Sequence, residues 1–322
     1  MSDGRGKRRI GKNHTLVTAG EFFLDLIFYD LDRLPKLGEE LKTEHFAFSL
    51  GGGAAISASA ACLLGRPTRL VTAWGDSGLD KEARARLRAF GVDSDWSRTE
   101  SDTTSGLTVA VSTRTDRYFL TYPGANRSVE SHLLSAKTHN RLRRAGHVHF
   151  ALTPRRWNPF LDLVTKLQSA GVTCSWDLGW DPEAAAAPGF RDICHQLDVL
   201  FFNQMEALRY TGAARLAEAL PRLSTADNTV VVKKGPQGAI ATTRGSETVE
   251  AAAIAVDALE STGAGDAFNG GFLNAWMDGA PLRDCLLAGN ICGSLSTRSP
   301  GGVDSLPSQA EFLAFLNQLK SP

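Results

Sequence analysis

The chain is predicted to be an α/β protein in which a mainly parallel sheet is covered by helices on both faces and a small second β-sheet stands beside it. Two patterns predict this. Short apolar runs at 16–19, 69–73, 147–151, 172–176, 199–202 and 229–233 alternate with segments of helical period at 54–64, 80–90, 159–170 and 213–223. Strands that are apolar throughout belong to a sheet buried on both faces, and the helices between them form the crossovers. In contrast, 40–50 and 106–122 show β-type alternation with no helix between their strands, so they form the small sheet.

Taken in order, the first run (Leu16, Val17, Thr18, Ala19) leads into Gly20-Glu21-Phe22-Phe23-Leu24-Asp25. The helix over 54–64 is entered through Gly51-Gly52-Gly53, is rich in alanine and serine, and closes at Gly65. Gly91 and Gly171 stop the helices over 80–90 and 159–170, as glycine does at helix C-termini. The second β-type segment carries a hairpin-like turn at Thr115-Asp116. Three helical patterns, 267–277, 282–296 and 308–319, end the chain.

The 322 residues suffice for one large domain, and their 43% hydrophobic and 22% charged content is that of a soluble globule. Formal net charge is zero, which gives no reason to expect nucleic acid or an anionic membrane as a partner. No apolar stretch approaches the roughly 20 residues of a membrane span. The start, from Met1 to Lys12, is basic without an apolar core, so residues 1–13 read as a disordered tail. Cys62, Cys174, Cys194, Cys285 and Cys292 are odd in number, scattered and mostly in apolar surroundings, which fits a reducing, cytoplasmic setting. His147 and His149 alternate in a strand, where packing is expected ahead of metal binding.

Chemistry concentrates in Ser261-Thr262-Gly263-Ala264-Gly265-Asp266-Ala267, a small-residue turn that opens a helix. Such a turn leaves backbone N–H groups aimed at one spot, where the helix dipole favours an anion. A carboxylate there repels phosphate and is a poor binding group. As a base, it takes the proton of a hydroxyl that attacks a phosphoryl group held by those N–H groups. Asn203-Gln204-Met205-Glu206 after a strand is a helix cap that could also meet a hydrated magnesium ion and phosphate oxygens. There is no Gly-x-x-x-x-Gly-Lys-Ser/Thr and no Gly-x-Gly-x-x-Gly after a strand, which argues against a P-loop kinase and a dinucleotide oxidoreductase.

The 261–267 stretch resembles the C-terminal signature of the PfkB-type carbohydrate kinases of the ribokinase-like superfamily, usually Asp-Thr-x-Gly-Ala-Gly-Asp, with Glu260 and Ser261 as departures. The run from Gly51 to Gly65 resembles that family's N-terminal signature, Gly-Gly-x-x-x-Asn-x-Ala closing in Leu-Gly. Pro35-Lys36-Leu37-Gly38-Glu39, Gly75-Asp76-Ser77-Gly78 and Pro123-Gly124-Ala125-Asn126 match as well, so the likeness spans about residues 16 to 320. It implies a three-layer α/β/α kinase domain over 14–322, with lid strands from about 36–50 and 104–124 that close over a sugar.

The resemblance further implies ATP-dependent transfer of a phosphoryl group to a sugar hydroxyl. Asp266 would be the base, Gly263, Ala264 and Gly265 the anion hole, and Asp25, Gly51, Gly52 and Gly53 the acceptor site. Ile56 stands where the sugar-contacting asparagine is usual, and Ser57 is the nearest polar substitute. The nucleotide side would be Asn203, Glu206 (through water on magnesium), Lys233, Gly235, Gln237, Gly238 and Asn290, with ATP and Mg2+ as cofactors. A potassium ion is implied near Glu260, Thr262, Ser296 and Gly301, and a homodimer through the lid edge is a reasonable partner state. A nucleoside kinase of the same superfamily is the alternative. A non-catalytic sugar or nucleotide sensor is disfavoured by the intact Gly-Ala-Gly-Asp.

Overall fold

The computed structural model describes residues 13–113, 117–225, 227–243 and 247–320; the basic start and the Thr115-Asp116 turn lie outside them. The strands are β1 (Leu16–Gly20), β2 (Phe23–Leu31), β3 (Phe46–Gly51), β4 (Thr68–Val71), β5 (Ala73–Trp74), β6 (Arg98–Thr99), β7 (Gly106–Thr113), β8 (Arg117–Tyr122), β9 (His147–Ala151), β10 (Thr173–Asp177), β11 (Val199–Asn203), β12 (Thr229–Lys233), β13 (Ala239–Thr243) and β14 (Glu247–Ala251). The helices are α1 (Gly53–Leu63), α2 (Gly78–Ala89), α3 (Val129–Leu133), α4 (Ala136–Leu142), α5 (Asn158–Ser169), α6 (Pro182–Ala186), α7 (Phe190–Gln196), α8 (Gln204–Thr211), α9 (Leu216–Leu223), α10 (Ala264–Met277), α11 (Leu282–Ser296) and α12 (Gln309–Lys320).

The large sheet runs β14-β13-β12-β11-β10-β9-β1-β4, parallel from β12 to β4 and antiparallel at the β12–β13 and β13–β14 pairs. Successive residues of β11 show why both faces are covered. Val199 and Phe201 join a cluster with Phe272, Trp276 and Leu286 of α10 and α11, whereas Leu200 and Phe202 join one with Phe160, Ile193 and Leu220 of α5, α7 and α9. A side-chain period of two sends neighbours to opposite faces. Burying each such large apolar chain contributes about 1.5–3 kcal/mol. On the α5 side, Phe150 stacks on Trp176 at 4.7 Å.

Helices α1, α10 and α11 lie together because two glycines remove the side chains between them. A Cβ on Gly270 would stand 2.5 Å from the Ser57 carbonyl of α1, and one on Gly271 would stand 2.5 Å from the Ala288 carbonyl of α11. His147 and His149 are packing residues, as expected. His147 shares hydrogen bonds with Thr173 (2.8 Å) and Ser175 (2.7 Å), and His149 with Ser175 (2.8 Å), all between neighbouring buried strands.

The second sheet runs β3-β2-β7-β8. Its central strand β2 was not expected from sequence: Asp25, read as following the first strand, lies within it, paired with Ser49 on β3 and Thr108 on β7. The strand expected over 40–50 begins only at Phe46, where the pairing with Phe28 starts and before which the His45 carbonyl accepts the Tyr29 N–H at 3.2 Å, and the helix expected over 213–223 begins at Leu216. Strands β13 and β14 were also unforeseen. One face of the second sheet is apolar and open, with Phe46, Tyr118 and Leu120 between 49% and 75% exposed. No helix among the described residues is long and apolar enough to cross a membrane.

Candidate active site

The site forms where the parallel strands end, in the crevice that such sheets use for ligands. Gly263 caps α10 with φ +77°, a left-handed conformation that glycine adopts without strain. The turn has no room for a side chain either, since a Cβ on Gly263 would stand 2.6 Å from Ile56 Cδ1 and 2.8 Å from Gly302 Cα. Ala264, Asp266 and Ala267 donate their N–H groups to Ser261 and Gly263 carbonyls. Those of Gly263 and Gly265 have no acceptor among the described residues. These two are the donors available to a phosphoryl oxygen.

Asp266 sits in the first turn of α10, and its carboxyl is pushed up to about 7 by burial, then by Asp177; Lys233 opposes the rise, and Glu206 and Asp25 add to it. Asp25 is likewise raised to about 7, chiefly by burial and by Glu260, against a hydrogen bond from Thr108. The glycine turn before α1 touches both carboxylates. A Cβ on Gly51 would stand 2.1 Å from Asp25 Oδ2, and one on Gly53 2.7 Å from Asp266 Oδ1. Gly52 packs on the Glu21 carbonyl, where a Cβ would stand 2.4 Å away. Asp25 and Asp266 are thus both packed against the same glycine turn.

The Ser57 side chain is buried, and its hydroxyl donates to the Asp266 carbonyl at 2.9 Å, tying α1 to α10. Ile56 is 2% exposed and fills the gap under Gly263 and Gly302. Neither side chain is free to bond a sugar.

On the other side of Asp266 lies a cavity of about 520 Å³, within the range of nucleotide sites. Its walls include Gly235, Pro236, Ile254, Val256, Phe268 and Asn290, with Lys233 and Gly265 at one end. Gly238 lines it, and Gln237 does not. The Asn290 amide donates to the Ala251 and Ala252 carbonyls at 2.9 Å each, fixing the wall formed by the chain after β14. Asn203 and Glu206 make the reciprocal cap at the start of α8: Asn203 N–H donates to Glu206 Oε2 at 2.7 Å, and Glu206 N–H to Asn203 Oδ1 at 2.8 Å. Burial, followed by Asp177, pushes Glu206 up to about 7.

Lys233 ends β12 and reaches under α10. Its ammonium donates to Asp177 Oδ2 at 2.6 Å, to Asn269 Oδ1 at 3.3 Å and to the Gly265 carbonyl at 3.4 Å. Asn269 also donates to Asp177 Oδ2 at 2.6 Å. Burial by itself would raise the Asp177 carboxyl, but Lys233 and Asn269 hold it below its ordinary range. Asp177 and Asn269 were not singled out from sequence. The signal for each was a polar residue interrupting a buried pattern: Asp177 closes a strand buried throughout, and Asn269 lies on the buried side of α10.

Glu260 braces the loop before the turn. Its carboxylate accepts from Thr262 N–H (2.8 Å), Thr262 Oγ1 (2.6 Å) and Gly301 N–H (3.5 Å). Ser296, on α11, donates to the Gly293 carbonyl at 3.0 Å. Glu260, Thr262 and Gly301 are thus brought together through one carboxylate.

Several known proteins resemble this chain in sequence and fold. The chain is similar to the ATP-dependent ribose-1-phosphate kinase of Halopiger xanaduensis, with 31% identity over 294 residues, 89% of this chain and 93% of that protein. It is 25% identical to the ribokinase of Arabidopsis thaliana over 94% of this chain and 80% of that protein. The structure of Arabidopsis ribokinase complexed with ribose and ATP superposes with a TM-score of 0.81 at 24% identity, covering 94% of this chain and 99% of that one. Residues 13–309 match the pfkB family of carbohydrate kinases, and the chain belongs to that family.

Proposed function

We propose that the protein is an ATP-dependent sugar kinase in which Asp266 takes the proton of the acceptor hydroxyl. One observation carries this reading: Asp266, poised near neutral pH, stands between the glycine turn that packs on Asp25 and the nucleotide-sized cavity lined by Lys233 and Gly265. Acceptor and ATP would meet at its carboxylate. The acceptor oxygen forms a bond to the γ-phosphorus as the bond to the β-phosphate bridging oxygen breaks, the proton passes to Asp266, and ADP leaves. The Gly263 and Gly265 N–H groups and Lys233 stabilise charge on the moving phosphoryl group.

A divalent ion fits this charge pattern. Asp266, Asp177 and Glu206 oppose a single lysine, and no group of three metal-type side chains closes on one point among the described residues. The arrangement suits a magnesium ion borne by the nucleotide, met by Glu206 through water, rather than a protein cage. When bound, it neutralises phosphate charge. A potassium ion at the Glu260 loop belongs to the same reading; with Glu260 already accepting three bonds, backbone carbonyls would be its ligands, and initial rates in potassium against choline chloride test it. The open apolar face of the second sheet supports the homodimer, which sedimentation tests.

For the acceptor, ribose 1-phosphate stands ahead of free ribose. The relative with 31% identity acts on ribose 1-phosphate. Ile56, buried where the family signature usually has asparagine, offers the acceptor no amide.

The test is Asp266→Asn, which keeps the shape and removes the charge; the cap of α10 is Gly263 and is untouched. Turnover should fall by roughly 10²-fold or more. Melting temperature and ATP binding should be retained. A folded, nucleotide-binding variant with near wild-type turnover would end this reading.

A further inference from the structure

The mechanism above gives no role to one buried carboxylate of the site. Asp177 is 9% exposed, at the end of β10 and deep in the site. It receives the Lys233 ammonium at 2.6 Å and the Asn269 amide at 2.6 Å on the same oxygen. Lys233 stretches across β11 above the Phe201 ring, 6.0 Å from its centroid, to reach this partner. A lysine with no fixed partner would swing toward whichever carboxylate is nearest. Here one bond to Asp177 and one to Asn269, which is itself bonded to the same Asp177 oxygen, hold it below the first turn of α10, with its ammonium 3.4 Å from the Gly265 carbonyl.

We propose that Asp177 is a positioning residue that anchors Lys233 beneath the Gly263–Gly265 turn and, by occupying that cation, keeps it from neutralising Asp266. This rests on Asp266 being the base. Its logic is one of charge sharing. The groups that face Asp266 are Asp177 from β10, Lys233 from β12, Glu206 from α8 and Asp25 from β2; His149 of β9 faces Asp177. Burial holds His149 neutral, near 4, so Lys233 is the one positive charge among these groups. Were Lys233 to pair with Asp266 instead, the carboxylate would become a weak base, and the phosphoryl group would lose a cation. With Asp177 as its counter-ion, Lys233 stays charged and Asp266 stays basic.

Asp177→Asn tests this, because it keeps the shape and one acceptor oxygen while deleting the charge. The readout is kcat/KM for ATP from about pH 5 to about pH 9, whose acid limb reports the free enzyme's base. The limb should move to lower pH by about one unit. Asp177→Glu, which keeps the charge, should restore the wild-type limb. A folded Asp177→Asn protein with an unmoved limb overturns the proposal, as does a uniform loss at every pH that Asp177→Glu does not relieve. If Asp177→Asn fails to fold, Lys233→Gln reads the same balance from the other side: its limb should move to higher pH, and an unmoved limb overturns the proposal. The two readings fail separately. An unmoved limb beside an inactive Asp266→Asn overturns only the role of Asp177, whereas an active Asp266→Asn removes the base on which that role depends.

Discussion

Gly53 is packed directly against Asp266: a Cβ at that position would stand 2.7 Å from the Asp266 Oδ1 oxygen. The glycine is there because the reacting carboxylate needs its space, and not because of its own backbone, which is helical at the first position of α1.

Gly53→Ala should therefore displace the carboxylate while leaving the helix intact. Turnover should fall roughly 10- to 100-fold, the scale set by misplacing a reacting group by about 1 Å. The KM for ATP should hold, since the nucleotide cavity lies on the far side of Asp266. Steady-state kinetics decide it, and unchanged kcat would show that Asp266 does not act from its observed position.

The unliganded protein should lose stability as pH rises from about 5.5 to about 7.5. Asp25, Glu206 and Asp266 all titrate near 7 in the fold and near their ordinary values, about 4, when unfolded. Over that interval the fold holds these three protons that the unfolded chain has lost, so raising pH favours unfolding. The histidines that burial holds low, His147 and His149 above all, work in the opposite sense, but only up to their ordinary value of about 6.5, where their effect ends and that of the carboxylates continues. Melting temperature should be lower at pH 7.5 than at pH 5.5, and Asp266→Asn should reduce the difference; a melting temperature that rises over this interval contradicts the charge crowding.

Ile56→Asn should not convert the protein into a ribose kinase. The side chain is 2% exposed, with its Cδ1 against Gly263 and Gly302. An amide there is buried among apolar groups, at a cost of about 1–3 kcal/mol for the unpaired polar atoms in addition to the lost packing. The melting temperature should drop, and ribose turnover should not improve. A variant of normal stability with raised ribose activity would show that position 56 faces the acceptor.

Ala253→Trp should plug the nucleotide cavity, since Ala253 is part of its wall and is only half-buried. The KM for ATP should rise at least about tenfold, equivalent to about 1.4 kcal/mol of lost binding, with the acceptor KM and melting temperature little changed. Unaltered ATP kinetics would place the nucleotide elsewhere.

What could be read in advance followed from local rules. The parallel strands and their helices were legible because each strand is apolar throughout and each helix has a clear stop. The 261–267 turn was legible because glycine, alanine and aspartate have few reasons to occur together there. The rest depends on partners distant in sequence. Strand β2 reads as an apolar run around an isolated Asp25, and only pairing with β3 and β7 makes it a strand. Strands β13 and β14, rich in threonine and short, depend on the edge of β12. Asp177, Lys233 and Asn269 are 36 to 92 residues apart along their bonds, so no local window contains the triad.

The connections between the two sheets are fastened close to the point where each one crosses. Phe22, just before β2, exchanges two hydrogen bonds with the Asn126 amide, 3.1 Å from its N–H and 2.8 Å from its carbonyl. Ser105, just before β7, gives its N–H to Asp80 at 3.0 Å, and its hydroxyl accepts the Gly75 N–H at 3.1 Å. Gly52, just after β3, lies against the Glu21 backbone. Three crossings clamped in this way tie the small sheet to the large one along a single line. Asp25 lies three residues beyond Phe22 and Gly51 next to Gly52, so both belong to the tied root of the small sheet. The carboxylate and the glycine turn that the proposed function assigns to the acceptor are therefore fixed to the frame that carries Asp266, and not to the free end of the strands.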